Sequence, residues 1–442
     1  TDRNNRMKAK FFQVFDYFLF ICVLFLVSLG IMFIYSSAVN SEGFLVSKEY
    51  VKQIIWAGIG IVLLLLTAIT DYRRIIRYVP YLYAGFALLL IYTRIFGRYV
   101  NGARSWIGFA SFGIQPSEFC KVVYIMFLAL YLTNSKSESP RKRFLISLGI
   151  FLLPTGLILL QPDLGTAMVY IPIFLLMCFV AGLPLRYIFL IFAGGLLTII
   201  FTVLPIYQSE IAHINYKLIS VLTNGKLSLL VIIASFAICL IGVTGKFFFP
   251  ENKYFYWIAY YAGMFCAALI LSKIAGKVLK DYQIKRLIVF IDPDSDPRGA
   301  GWNIIQSKIA IGSGNLFGQG FLRGTQSHYR FLPEQSTDFI FSILAEEFGF
   351  VGCMAVFVLY FGILIRMVYI MRATNNEFGY FIISGILAMF FFHFIVNVGM
   401  VMGIMPITGI PLLFLSYGGS SLWTAMICIG LVMSIKGHKF EL

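Results

Sequence analysis

Charged side chains are scarce in this chain. They make up 12% of its 442 residues, against 60% that are hydrophobic, a balance that excludes a water-soluble globule of this size and leaves an integral membrane protein. Cysteine is sparse too: Cys22, Cys120, Cys178, Cys239, Cys266, Cys353 and Cys428 stand singly within or beside apolar runs. With no CxxC pair, neither a disulfide framework nor a zinc site is expected. The histidines, His213, His328, His393 and His438, are too scattered to suggest a metal site. No internal repeat, heptad array or low-complexity tract appears, and nothing marks off a separate soluble domain. Strands alternating polar and apolar residues are missing, which excludes an outer-membrane barrel.

What is present is a succession of apolar runs, near residues 15–36, 51–69, 78–96, 117–133, 144–160, 164–182, 186–206, 228–245, 255–272, 338–365, 380–403 and 416–435. A helix needs about 20 mostly apolar residues to cross a bilayer, and a helix satisfies its own backbone in lipid. The sequence therefore predicts an all-α, polytopic membrane bundle of about twelve spans, a single integral membrane domain over 1–442. The first run lacks a small-residue cleavage site and reads as an anchor, not a removable signal.

A net charge of +15 would suit nucleic acid only if the cations formed one stripe, and they sit mainly in short connections between spans. Arg3, Arg6, Lys8 and Lys10 precede the first run, Arg73, Arg74 and Arg77 follow the second, and Arg141, Lys142 and Arg143 follow the fourth. Arg186, Lys246, Lys253, Arg366, Arg372, Lys436 and Lys439 continue the series, so both termini are expected on the cytoplasmic side. The segment 273–337 then lies outside, yet it carries Lys273, Lys277, Lys280, Lys285, Arg286, Arg298, Lys308, Arg323 and Arg330. A cationic outer loop with amphipathic stretches suits contact with anionic groups, whether lipid headgroups alone or a bound substrate.

Ionisable groups at span edges are the informative ones, because placing them there is costly unless they pair or work. In Gln115-Pro-Ser-Glu-Phe-Cys-Lys121, Pro116 fits a first helical turn and Glu118 and Lys121 share a face. They read either as a neutralising ion pair or as a phosphate-binding Lys121 oriented by Glu118. Arg104, beside Trp106, reads as a snorkelling interface residue or as a bidentate pyrophosphate contact. The stretch 306–326 concentrates Gly312, Gly314, Gly318, Gly320 and Gly324; it is a compact turn-rich loop or a place where backbone approaches a ligand closely, and it is no nucleotide P-loop. Asp338 opens a span as a helix cap, as a proton acceptor for a sugar hydroxyl, or as both. Glu346 and Glu347, roughly 12 to 14 Å further along that helix, read as packing or pairing groups, with a buried cation as one possible partner. The Asp292-Pro-Asp-Ser-Asp296 run reads as a rigid turn.

Taken together, Asn-Gly-Ala-Arg-Ser-Trp (101–106), Gln-Pro-Ser-Glu (115–118), Gln-Pro-Asp-Leu-Gly-Thr-Ala (161–167), Gly-Ala-Gly-Trp-Asn-Ile-Ile-Gln-Ser (299–307), Phe-Leu-Pro-Glu (331–334), Thr-Asp-Phe-Ile-Phe (337–341) and Leu-Ser-Tyr-Gly-Gly-Ser (415–420) resemble the SEDS family. Gly-Thr-Gln (324–326) favours its rod-shape branch over the division branch. The resemblance implies a peptidoglycan glycosyltransferase that polymerises lipid II outside the cytoplasmic membrane, partnered by a class B penicillin-binding protein. Asp338 matches the family's essential loop aspartate, Glu118 and Lys121 its fourth-span pair. Arg104, Lys308, Gln326 and Glu334 are further candidate substrate contacts.

Two departures from the family stand out. The region 208–272 adds two apolar runs to a core of about ten spans, and Asn315 and Gln319 stand where Gly and Lys are common. The expected chemistry has Asp338 as general base on the 4-hydroxyl of lipid II, with Arg104, Lys121 and Lys308 steadying the departing undecaprenyl pyrophosphate. A divalent cation could assist, although no ligand set in the sequence specifies one. A lipid II flippase would instead line a midplane path with charge, and a scaffold for the penicillin-binding protein would leave these groups idle.

Overall fold

The computed structural model describes residues 15–100, 102–109, 112–208, 216–278, 281–293, 299–332 and 334–438. Arg3, Arg6, Lys8, Lys10, Asn101, His213, Lys280, Asp294, Asp296, Arg298, Pro333 and Lys439 lie outside these residues, as do the side chains of Lys277 and Lys285. In chain order the helices are α1 (Tyr17–Ser37), α2 (Glu49–Ile69), α3 (Val79–Phe96), α4 (Pro116–Asn134), α5 (Pro140–Leu160), α6 (Leu164–Val180), α7 (Leu185–Tyr207), α8 (Lys217–Thr223), α9 (Gly225–Phe248), α10 (Lys253–Val278), α11 (Asp281–Ile291), α12 (Ala300–Ser313), α13 (Thr325–His328), α14 (Ile340–Ala373), α15 (Glu377–Val401) and α16 (Gly419–Gly437). A 3-10 turn, Tyr72–Tyr78, leads into α3.

Among the described residues eleven helical segments are long and apolar enough to cross a membrane. The 17-residue α6 is the remaining apolar run and still falls within spanning length. All twelve runs read from the sequence are thus helical. The all-α expectation needs one correction: between α3 and α4 lies a three-stranded antiparallel sheet, β1 (Arg98–Val100), β2 (Ala103–Phe109) and β3 (Phe112–Ile114), in the order β1-β2-β3. β1 and β3, three residues each, are too short to display alternation, and the seven residues of β2, ARSWIGF, do not alternate.

The chain divides into two compact units, 1–183 with 303–442, and 184–302. In the first, α15 packs on α4, α6 and α14 and is mostly buried. Small residues allow close approach where lipid offers no hydrophobic drive: α16 lies so near α2 that a Cβ on Gly430 would fall 1.8 Å from Thr67 Oγ1. Buried polar groups fix the helix ends at one pole of this unit. Asp16 caps α1, accepting from Leu19 N–H at 3.2 Å, and also accepts from Arg366 Nε at 2.8 Å and Lys436 Nζ at 2.9 Å, which ties α1, α14 and α16 together. Arg143 donates to the carbonyls of Leu132 and Ala181, where α4 and α6 finish, giving those helix C-termini the cation they favour.

At the other pole α14 is broken. Gly349 has φ +62° and ψ −159°, a conformation essentially confined to glycine. The glycine-rich loop lies across the break and repairs it. Gln319 and Gly320 N–H groups donate to the Glu346 and Glu347 carbonyls at 3.0 Å, and Phe350 and Val351 N–H groups donate to Asn315 and Leu316 carbonyls at 3.0 and 3.1 Å. Every backbone group freed in an apolar interior needs such a partner. A Cβ on Gly314 would sit 1.9 Å from Ala345 O. Gly314 and Gly318 therefore serve close approach of loop to helix.

The second unit, α7 to α11, is built around the α9–α10 hairpin, which also packs on α7. Its threonine hydroxyls bond their own helices, as Thr198 to Gly194 O and Thr202 to Thr198 O, while Tyr260 Oη donates across to Arg186 O at 2.6 Å.

Candidate functional site

The first turn of α4 begins at Pro116, whose missing N–H is harmless there, and places Glu118 three residues in. Lys121 Nζ lies 2.7 Å from Glu118 Oε1, and both side chains are almost fully buried. The pairing expected from their spacing is present. Lys121 Nζ is also 3.4 Å from His393 Nε2, and His393 Nδ1 is 2.9 Å from Pro411 O. Glu118 Oε2 is buried without a hydrogen-bond partner, which leaves an acceptor unspent beside the ammonium.

Asp338 lies in a turn ahead of α14. The N-cap position falls on Phe339, one residue after Asp338, with no cap bond from the Phe339 side chain. The turn is held through backbone: Asp338 N–H donates to Glu334 O at 3.1 Å, and Asn397 Nδ2 donates both to Asp338 O at 3.1 Å and to Ile410 O at 2.9 Å. The loop that supplies Ile410 and Pro411 is itself stitched down. Gln53 donates to Ser416 O and accepts from Gly418 N–H, each at 3.2 Å, and Tyr417 N–H donates to Ser336 O at 2.8 Å. A continuous polar chain thus runs from the Asp338 turn through Asn397, Ile410-Pro411 and His393 to Lys121 and Glu118.

Beside this chain, Gln115 donates to Asp163 Oδ2 at 2.8 Å and its N–H reaches Ser420 Oγ at 3.0 Å. Asp163 caps α6. Burial pushes its carboxyl above the usual range, against the hydrogen bonds from Thr166. Pro116, Phe119, Ser420, Trp423, Trp56 and Ile107 contribute to the wall of an apolar groove of about 440 Å³. The groove reaches the turn that carries Glu118 and is large enough for part of a long apolar ligand.

The other candidates stand apart from that chain. Arg104 is exposed on β2 and donates to Ile95 O at 3.4 Å, at the end of α3; its strand borders the groove through Ile107 and Gly108. Lys308, exposed on α12, lies over Gly403. Glu334 is exposed, with φ +50° and its carboxylate accepting from Thr337 Oγ1 at 3.2 Å. Gln326 gives its N–H to Glu346 Oε1 at 2.8 Å, and its Oε1 is buried without a hydrogen-bond partner. Glu346 accepts further from Thr325 Oγ1 and Ser327 N–H, so it anchors α13. Glu347 accepts from Ser36 Oγ. Among the described residues, no three His, Cys, Asp or Glu side chains gather as a metal cage.

His393 and Asn397 were not singled out as site residues from the sequence. The available signal was their spacing, i and i+4 on an otherwise apolar span, which puts two polar groups on one helix face.

Compared with known proteins, the chain matches the family model of the FtsW, RodA and SpoVE cell cycle proteins over residues 16–246 and 211–441. Peptidoglycan glycosyltransferase RodA of Treponema pallidum (strain Nichols) is 54% identical over 433 residues, 98% of this chain and 100% of that protein. Peptidoglycan glycosyltransferase MrdB of Escherichia coli (strain K12) is 33% identical over 382 residues, 86% of this chain and 84% of its own length. A solved peptidoglycan synthase complex, described as coordinating polymerization and crosslinking, contains a chain with a TM-score of 0.68 and 25% identity, covering 97% of this chain and 99% of that one. RodA of Thermus thermophilus shares the fold, with a TM-score of 0.59 at 24% identity over 97% of this chain and 98% of that one.

Proposed function

This chain belongs to the family of FtsW, RodA and SpoVE, is a multi-pass membrane peptidoglycan glycosyltransferase, and, we propose, polymerises lipid II on the outer face of the bacterial cytoplasmic membrane during rod-shaped elongation. Cations collect at the pole where α1 starts and α14 and α16 end, among them Arg143, Arg366 and Lys436. Positive charge marks the cytoplasmic side, so both termini are cytoplasmic and the Asp338 turn faces outward.

The observation that carries the reading is the buried Glu118–Lys121 pair, in the same α4 turn that lines the apolar groove. An undecaprenyl tail lies in the groove and brings its pyrophosphate to that turn. Asp338 takes the proton from the 4-hydroxyl of one lipid II as that oxygen attacks the anomeric carbon of the growing chain. The bond from that carbon to the pyrophosphate oxygen breaks, and undecaprenyl pyrophosphate leaves with negative charge that Lys121, Arg104 and Lys308 offset. Gln326 and Glu334 contact the substrate from the outer loop. Any divalent cation would act on the same pyrophosphate. A class B penicillin-binding protein crosslinks the product, in keeping with the synthase complex that this fold resembles.

Next inward from His393 along α15 come Phe390, Met389 and Ile386, all fully buried and apolar. A flippase path needs charge there, so this helix favours the enzyme over the transporter. Purified chain with its partner, given lipid II in proteoliposomes, should make polymer, and Asp338→Asn should lower the rate by about 10²- to 10⁴-fold. Full activity in the variant sinks the base assignment, and translocation without polymer supports the flippase.

A further inference from the structure

His393 is 1% exposed, on the helix α15 that packs on α4, α6 and α14. The Pro411 carbonyl, 2.9 Å from Nδ1, can only accept, so the ring proton sits on Nδ1 and Nε2 carries a lone pair. That lone pair faces Lys121 Nζ at 3.4 Å. An ammonium has three protons: one goes to Glu118, one to His393, and one remains.

We propose, on the glycosyltransferase reading above, that His393 is a positioning residue which, as a neutral Nδ1–H imidazole, accepts from Lys121 and aims its remaining proton at the departing pyrophosphate. Without this acceptor Lys121 can swing toward Glu118 Oε2, which has no other partner, and the proton leaves the substrate side. Asn397, one turn on, gives the arrangement its register. Because His393 bonds Pro411 and Asn397 bonds both Ile410 and Asp338, one helix face references the cation and the aspartate to two consecutive carbonyls.

Protonating His393 would set a second cation against Lys121 in a buried site and turn the Nε2 acceptor into a donor. The other titratable groups on the neighbouring helices are committed or uncharged. Glu118 pairs with Lys121, Asp163 holds Gln115 and Thr166, Tyr170 donates to Ser117 O and Tyr360 to Leu413 O, and Cys120 and Cys428 are buried thiols.

The test uses the full chain with its partner in nanodiscs. His393→Gln keeps one acceptor and one donor, and His393→Leu removes both. Wild-type melting with a fall in kcat of about 10- to 100-fold and a smaller change in KM is expected for His393→Leu. His393→Gln, which keeps an acceptor for Lys121, should retain activity within about three-fold of wild type. A His393→Leu variant within about two-fold of wild type, or a His393→Gln variant as impaired as His393→Leu, overturns the role; should His393→Leu not fold, the nitrogen-15 spectra decide. Nitrogen-15 spectra of histidine-labelled protein read the contact independently of turnover, with the His393 signal identified by its loss in His393→Gln. A proton on Nδ1 and an Nε2 resonance that moves in Lys121→Met are expected, and a proton on Nε2 or an unmoved resonance overturns the contact. A wild-type chain that makes no polymer would instead count against the glycosyltransferase reading, while the spectra still decide the proposal.

Discussion

The two units of the chain solve the same solvent problem in opposite ways. In 184–302, α7, α9 and α10 have spanning windows only 6%, 17% and 22% buried, and their threonine hydroxyls turn back onto their own helices. In the unit formed by 1–183 and 303–442, α4, α15 and α16 reach 72%, 78% and 78% buried, yet this is where Glu118, Lys121, His393, Asn397, Glu346 and Glu347 lie fully or almost fully enclosed. Burial in lipid is inexpensive for an apolar helix and costly for an ionisable one. On the proposed mechanism the unit that encloses charge is the unit that carries the chemistry, and 184–302 is apolar framework. The alignment with the Treponema protein spans 98% of this chain, so that relative extends through the proposed insertion 208–272 as well.

This contrast can be broken by substitution. Gly349→Ala forces a side chain into a left-handed, extended backbone and sets a Cβ 2.3 Å from Gly318 N; the strain should cost about 1–3 kcal/mol, read as a lowered melting temperature together with reduced polymer. Asp16→Asn is milder, because Arg366 and Lys436 are 30% and 28% exposed, and should cost roughly 1 kcal/mol. Burial raises the Asp16 carboxyl, but hydrogen bonds from Lys436, Leu19 N–H and Arg366 outweigh it and hold the group below its ordinary value. Its stabilisation is thus fully present above that ordinary value and fades as pH falls through the lowered one. Melting curves of wild type and Asp16→Asn should converge in acid. In the second unit, Thr198→Val and Thr202→Val each remove a hydroxyl that serves its own helix, and melting should shift by no more than about 0.5 kcal/mol. A large loss there would mean that 184–302 also depends on buried polar contacts.

Much of this contrast could be read from residue order alone, because period and length are local. The twelve apolar runs became helices, and Glu118 and Lys121 paired as their three-residue spacing required. What escaped depended on partners distant in sequence. Gly314 and Gly318 announce a backbone that comes close to something, but only the fold shows that the something is the carbonyls of Ala345 and Glu347 across a broken helix. Asp338 reads as a helix opener because Ser, Thr and Asp begin helices, and the turn that holds it, fixed by Asn397 and Glu334, is set by residues its own stretch does not reveal. His393 and Asn397 were visible as polar residues in an apolar span. Their use was hidden, since it rests on Ile410 and Pro411, carbonyls of a loop with no pattern of its own.

The account rests on Asp338, in the turn ahead of α14, and Lys121, on α4, serving one reaction through their shared link to α15. A double-mutant cycle on polymerisation, with Asp338→Asn, Lys121→Met and the pair compared by kcat/KM, tests this directly. Groups that act as a unit are non-additive, so the double variant should be little worse than the poorer single one. Two losses that multiply would contradict a shared site.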